Sequence, residues 1–280
     1  MAHVITAAEA AMLIHDRDTV ALSGFGMACV NEEVLASVEQ RFLAGEGPHD
    51  LTVMHATAVG NRREKGMSHW GHEGLIKRWI GGIAIASPAM ATLISEDKCE
   101  AYNLPQGVIC QLYREIAAKR PGLVTKVGLG TFVDPRVEGA RMSASTTEDY
   151  VQLLELSGEE WLFYPSFPIQ VALIRGTVAD ERGNLTLDHE GLKMEVLPIA
   201  QAVRNSGGIV IAQVESIAAA GTLDPNLVKV PGILVDYLVV STPENHFQTE
   251  NTYYNPSFSG QLRVPLSGVE GIPLSERKVI

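Results

Sequence analysis

The stretch "TVALSGFGMACVNEEVLASVEQRFLAGEGPHDLTVMHA", Thr19 to Ala56, decides the fold. TVALS is an apolar, β-branched run of the kind that forms a buried strand. Gly24-Phe25-Gly26 ends it. A helix is then expected from Asn31 to Gly45, with Asn31 as N-cap and Glu32 and Glu33 in the first turn, where their charge complements the helix dipole. LTVMHA, Leu51 to Ala56, is a second strand. Strand, crossover helix and strand make a βαβ unit, which places the two strands parallel.

The same alternation runs outward in both directions. Thr6-Ala7-Ala8-Glu9 is a capping box that opens a first helix. Past Ala56 come the glycine- and charge-rich loop GNRREKGMSHWGHEG, the apolar run WIGGIAIAS, and the helix PAMATLISED with Pro88 in its first turn. A strand around Ala101 follows. The next helix begins after Gln106, with Val108, Ile109, Leu112, Ile116 and Ala117 on its apolar side. LVTKVGLG leads into the loop GTFVDPRVEG. WLFYPSF and QVALIRGTVA read as strands, Glu159-Glu160 as a solvated turn, and Asp180 to Asn184 as a turn before the strand LTLD. EVLPIAQAVRNSGG is a helix closed by Gly207-Gly208, and GIVIAQVES and ILVDYLVVS are further strands. Pro243 to Val264 is polar, aromatic and aperiodic, and reads as a surface excursion. The expectation is an α/β fold: one domain over residues 1–280 with an open, largely parallel, doubly wound sheet and helices on both faces.

Composition narrows the partners. The 280 residues are 46% hydrophobic and 20% charged, an ordinary globular mix, with a net charge of −11. Such a charge argues against nucleic acid, which needs a basic face, but leaves room for an anionic small molecule at a local site. Cys29, Cys99 and Cys110 are odd in number and scattered, which predicts reduced thiols in a cytoplasmic protein and no structural zinc. The N-terminus lacks the pattern of a signal peptide. The long uncharged stretch Trp79 to Ile94 is too short to span a bilayer and contains Gly81, Gly82 and Pro88, so no membrane association is expected.

Ligands of open parallel sheets bind outside the carboxyl ends of the strands. Ser23-Gly24-Phe25-Gly26 stands at such a corner. It lacks the third glycine of a dinucleotide fingerprint, and the chain has no P-loop. It is either a tight turn or a place where backbone approaches a ligand. Pro105-Gln106-Gly107 stands at another strand-to-helix corner. Gln106 either caps or braces the helix, or offers its amide to a developing oxyanion. No G-x-S-x-G elbow is present. His55, His69 and His72 share one span, and His69 and His72 are close, but a metal site would want a third, well-spaced ligand, and the three are expected to be solvated loop histidines. At the C-terminus, Ser275-Glu276 starts a helix and the sequence stops one turn later, which suggests half of something larger. Leu266 to Ile280 would then present an apolar face to the other half.

Several segments resemble family I CoA-transferases of the acetate and propionate type. SGFGMACVNEEVL is similar to the family's GGFGxxGxPxxL segment, with Ser23 and Asn31 where glycine and proline are usual. NLPQGVICQLYRE resembles its PQG segment, GLGTFVDPRVEG its GxGTFxDPR loop, Asp180 to Asn184 its D-x-x-GN turn, and PLSERKVI its junction between halves. The resemblance implies the N-terminal (alpha) half of the enzyme, with residues 275–280 as the start of the junction helix. It implies ping-pong chemistry, in which a glutamate of the other half attacks acyl-CoA and passes CoA to a carboxylic acid. The Glu215-Ser216 pair lies outside the context of that glutamate. On the same basis Gln106 belongs to the oxyanion pocket, and Gly24, Phe25, Gly26, Gly107, Gly130, Thr131 and Phe132 to the acyl-CoA site. Coenzyme A is a substrate; no cofactor or metal is implied. The partners would be a beta subunit or C-terminal half, within an oligomer. A CoA-ester hydrolase and a non-catalytic scaffold on the same fold are the alternatives.

Overall fold

The computed structural model describes residues 1–263 and 265; the expectations for Leu266 to Ile280 lie outside the described residues. The first half holds β1 (His3–Ile5), α1 (Ala7–Met12), β2 (Thr19–Leu22), α2 (Glu32–Leu43), β3 (Leu51–His55), β4 (Ile76–Gly81), α3 (Pro88–Ser95), β5 (Glu100–Asn103) and α4 (Gln106–Ala117). After these come β6 (Gly122–Thr125), β7 (Gln152–Leu156), β8 (Glu159–Pro165), β9 (Val171–Arg175), β10 (Val178–Asp180) and β11 (Leu185–Thr186). The described chain ends with α5 (Val196–Asn205), β12 (Ile209–Val214), β13 (Ser216–Ala218), β14 (Val228–Val230) and β15 (Tyr237–Val240).

Eight strands form one sheet in the order β1-β15-β12-β9-β2-β3-β4-β5. Every pairing in it is parallel, as βαβ crossovers require. Both faces are covered, because alternate side chains of each strand enter different cores. Val20 and Leu22 of β2 pack with α1, α2 and α3, while Ala21 packs on the face of α4 and α5. β9 repeats this, with Val171 and Leu173 on the first face and Ala172 and Ile174 on the second. Each Val, Leu or Ile so buried contributes about 1.5–3 kcal/mol, which makes these strands the stable frame of the molecule.

Strand order runs outward from β2 to β5, then resumes at β9 on the other side of β2 and continues to β12 and β15. The reversal opens a crevice between the carboxyl ends of β2 and β9, the place where such sheets bind ligands.

Two smaller sheets flank the main one. A four-stranded sheet has the order β13-β10-β11-β14, and an antiparallel three-stranded sheet the order β6-β8-β7. Glu159-Glu160 therefore begins β8 and is not a turn. The turn is at Ser157 and Gly158, both at positive φ (56° and 77°), and the two glutamates stay solvated on the edge of the hairpin. WIGGIAIAS is strand only as far as Gly81; the rest is loop.

Thr6 and Glu9 make the expected reciprocal capping box. Asn31 occupies the N-cap of α2, but its side chain caps nothing. Its Nδ2 donates instead to the Ile174 carbonyl at 2.5 Å, which ties the start of α2 to β9. The free first-turn N–H of Glu33 is taken by Gln213 Oε1 at 3.1 Å. A long-range tie has displaced the local cap.

Candidate active-site edge

The glycine turn after β2 is stitched to the loop after β3. Gly26 N donates to the Ala58 carbonyl at 2.7 Å, Gly60 N donates to the Gly26 carbonyl at 2.8 Å, and the Thr57 hydroxyl donates to the Gly24 carbonyl. Gly24 has φ +135°, and a Cβ there would meet Val30 Cγ2 at 2.6 Å, so only glycine fits. A Cβ on Gly26 would meet nothing within 4 Å. That side of the turn is open, and Phe25 beside it is 48% exposed.

Gln106 is the first residue of α4, after Pro105 in the N-cap position, and its side chain makes no cap. Among the described residues its half-buried amide has no hydrogen-bond partner. The aliphatic part packs on the end of β4: a Cβ on Gly82 would lie 2.5 Å from Gln106 Cγ and 2.2 Å from the Ala56 carbonyl oxygen. Asn103 fixes that corner by donating from Nδ2 to the Gly81 and Gly82 carbonyls at 3.2 and 2.7 Å. The amide is thus held by packing while its donors stay free, beside the first-turn N–H groups of α4 at Gln106 and Gly107. Such a group can meet developing negative charge.

The GTFVDPR loop is moored to the outer side of β5. Asn103 N donates to the Ala140 carbonyl at 2.8 Å, and Ala140 N donates to the Phe132 carbonyl at 3.0 Å. Asp134 organises the loop internally, accepting from Gly130 N at 2.9 Å and from Arg136 Nε and Nη2 at 3.0 and 2.8 Å. The Arg136 hydrogen bonds hold the Asp134 carboxyl far below its usual range. Thr131 donates to the Gly128 carbonyl, and Phe132 remains 42% exposed. The structure therefore brings Gly24–Gly26 and Gln106–Gly107 to the carboxyl edge of the sheet, and moors the loop of Gly130–Phe132 beside β5. The first follows β2; the second follows β5 and packs its side chain against the end of β4.

The histidines are not free loop side chains: one is buried and two are paired with carboxylates. His55 is buried, with Nδ1 2.6 Å from the Thr57 carbonyl and Nε2 accepting from Trp79 Nε1 at 2.8 Å. Burial lowers its pKa to about 4 and keeps it neutral. His69 and His72 are drawn in by carboxylates on α2: His72 Nε2 lies 2.8 Å from Glu39, and His69 lies between Glu39 and Glu32. Cys29 and Cys99 are buried free thiols; burial pushes Cys99 up to about 12 and half-buried Cys110 up to about 11.

A buried ionic group beneath the strand-order reversal escaped the sequence reading. Arg175, at the end of β9, donates from Nε and Nη2 to the two carboxylate oxygens of Glu190 at 2.7 and 2.8 Å. Both side chains are at most 2% exposed. Arg175 Nη2 also donates to the Phe247 carbonyl at 2.8 Å and so anchors the segment after β15. His246 points its unpartnered Nε2 between Glu190 and Glu215, 3.7 and 3.9 Å away. Burial, aided by the Arg175 charge, depresses it to about 2. Glu215 accordingly pairs with His189 at 2.8 Å as part of this network. A lone arginine in the apolar strand QVALIRG was the available signal.

An open, parallel sheet of this kind is shared with solved CoA-transferase structures. A sequence profile described as Coenzyme A transferase matches residues 4–241, and the chain belongs to that family. It is similar to caffeate CoA-transferase of Acetobacterium woodii, 52% identical over all of this chain and 54% of that protein. It is 35% identical to acetate CoA-transferase YdiF of Escherichia coli K12, over 99% of this chain and 52% of that one. The crystal structure of the YdiF apoenzyme from E. coli O157:H7 superimposes with a TM-score of 0.89 at 34% identity, covering 95% of this chain and 52% of YdiF. The chain spans about half the length of these relatives. Glutaconate coenzyme A-transferase of Acidaminococcus fermentans shares the fold, with a TM-score of 0.70 at 20% identity.

Proposed function

We propose that this chain is the alpha half of a CoA-transferase. It would move CoA between a short-chain acyl-CoA of the acetate or propionate type and a carboxylic acid. The chemistry is ping-pong, and the nucleophilic glutamate is supplied by a beta subunit or C-terminal half. The observation that carries this reading is Gln106, an amide fixed by packing against Gly82 with its donors uncommitted at the carboxyl edge of the sheet.

Attack on a thioester carbonyl moves charge onto its oxygen. A pre-oriented N–H at that point stabilises the transition state more than the ground state. The glutamate forms an acyl anhydride and releases CoA thiolate. The thiolate then attacks the glutamyl carbonyl, gives the glutamyl-CoA thioester and frees the first acid. The second acid reverses these steps. Each stage passes through an oxyanion, so one donor serves them all. Gly24–Gly26 and Gly130–Phe132 would carry the acyl-CoA. Membership of the CoA-transferase family supports the transfer of CoA itself.

The test is to purify the chain with its complementary half and follow transfer from acetyl-CoA to propionate. Borohydride with acyl-CoA present should inactivate the enzyme by reducing the glutamyl thioester. Transfer without any such covalent intermediate would overturn the mechanism. Hydrolysis without transfer would favour the CoA-ester hydrolase, and neither activity would favour the scaffold.

A further inference from the structure

We infer that the cleft at the strand-order reversal receives the apolar tail of an elongated acyl group, the second acid of the exchange, with Phe25, Met27, Leu192 and Phe258 setting its specificity. This rests on the CoA-transfer reading. The cleft has a volume of about 460 Å³, in the range that holds an organic molecule larger than acetate. One wall is the turn Phe25 to Ala28, the floor is Gly191-Leu192, and the other wall is a strap carrying Gln248 to Glu250 and Phe258.

The strap is a built wall. Arg175 holds the Phe247 carbonyl, and Gln248 N donates to the Tyr253 carbonyl at 2.8 Å. The Gln248 amide is held in place, with Nε2 donating to the His189 carbonyl at 2.5 Å and Oε1 accepting from Asn255 N at 2.8 Å. Besides Gln248, the polar side chains in the lining are Thr249 and Glu250 on the strap. The walls offer a free carboxylate no cation and offer a hydrocarbon or aryl group good contact. Phe25, Leu192 and Phe258 are 48, 43 and 50% exposed here, a convergence of large apolar side chains that a ligand would cover.

Reach selects the ligand. Gln106 packs at the end of β4, and Phe25 follows β2, two strands away, or about 10 Å at ~4.8 Å per strand. An acetyl or propionyl group whose carbonyl meets Gln106 ends far short of the cleft. A flat, extended group such as phenylpropenoyl covers most of the distance and presents a ring to Phe25 and Phe258.

The test uses Gly191→Leu. A Cβ at Gly191 meets nothing closer than 3.7 Å, so the larger residue fills the cleft without a backbone clash. In the enzyme with its complementary half, the kcat/KM for 3-phenylpropenoate relative to acetate should fall at least tenfold. Leu192→Ala should shift the same ratio without abolishing acetate transfer. Binding is read separately on the 280-residue chain, from the methyl resonance of Met27 as 3-phenylpropenoate is added, with acetate as control. A Met27 shift lost in Gly191→Leu supports the cleft even if the enzyme transfers no CoA, an outcome that would sink only the transferase reading. An unchanged acid ratio together with no Met27 shift overturns the inference.

Discussion

His69 Nε2 lies 3.0 Å from Glu32 Oε1, while its Nδ1 lies 2.5 Å from Glu39 Oε2. A neutral imidazole has one N–H, so facing two carboxylates requires the doubly protonated ring. Lys65, 3.9 Å from Glu32, and His72, on the second oxygen of Glu39, complete the group. Burial alone would lower the His69 pKa; hydrogen bonding and charge from Glu32, then from Glu39, outweigh it and raise the value above 6.5. Because the folded pKa is raised, the stabilisation is fully present below about pH 6.5 and is lost as pH rises through the folded pKa.

The expected outcome is a loss of stability on raising pH above 6.5 that is steeper in the parent than in His69→Gln. The glutamine variant should be less stable below pH 6.5 by about 1–3 kcal/mol, because a neutral amide cannot bridge Glu32 and Glu39 as the imidazolium does. Denaturant melts at several pH values, with histidine NMR titration, check both points. A His69 resonance that titrates below 6.5 would contradict the imidazolium assignment. The same clamp bears on the edge of the sheet. Glu32 Oε2 accepts from Gly66 N at 2.9 Å, Gly66 packs on Gly60, and Gly60 is bonded to the glycine turn at Gly26.

Arg175→Met leaves Glu190 buried and without its bidentate partner. A broken buried pair costs about 3–5 kcal/mol, whereas replacing both members is far milder. The single variant should show a much lower denaturant midpoint, and Arg175→Met/Glu190→Leu should recover most of it. A double variant as unstable as the single one would show that the Phe247 tie, not the ion pair, dominates.

The alternation of strands and helices was legible because every crossover places apolar residues at the spacing its element needs. Val20, Ala21 and Leu22 read as a buried strand, and Val108, Ile109, Leu112 and Ile116 as a helix face, and each is buried so. What escaped notice depends on distance along the chain. Arg175 meets Glu190 and Phe247 at separations of 15 and 72 residues, and Asn31 meets Ile174 at 143. No local pattern records such pairs. His69 and His72 looked solvated because their loop is polar, yet the carboxylates that draw them in lie on α2, at separations of 30 to 37 residues. The hairpin of β7 and β8 was lost because its turn is flanked by glutamates that mask the alternation. At the site, the corners at Gly24 and Gln106 were visible as glycine-rich strand ends. Their distance apart across the sheet was not, since it follows from strand order.

The 280-residue chain alone should not transfer CoA, because the proposed mechanism takes its nucleophile from the other half. Assays with acetyl-CoA and propionate, with and without that half, check this. Robust turnover by the single chain would require a glutamate within it, and Glu215, paired to His189, would be the first to substitute.

Gln106→Ala removes the proposed donor and the methylenes that pack beside Gly82, but leaves the buried face of α4, Val108, Ile109, Leu112 and Ile116, in place. With one oxyanion donor gone, kcat should fall on the order of 10²–10³-fold. The apparent affinity for acyl-CoA should change much less, because the ground-state carbonyl needs that donor less than the developing anion does. Gln106→Glu should be at least as damaging, since it sets an acceptor-only carboxylate beside growing negative charge. Gly82→Ala tests the same residue from behind: its Cβ would fall 2.5 Å from Gln106 Cγ and 2.2 Å from a backbone oxygen, so the amide must move. It should lower kcat without removing any donor. A bracing role for Gln106 predicts the opposite pattern, with a lower melting temperature and near-normal kcat in the folded fraction. Melting temperature and steady-state kinetics on the same preparations separate the two, and a stable Gln106→Ala enzyme with unchanged kcat would rule out the oxyanion role.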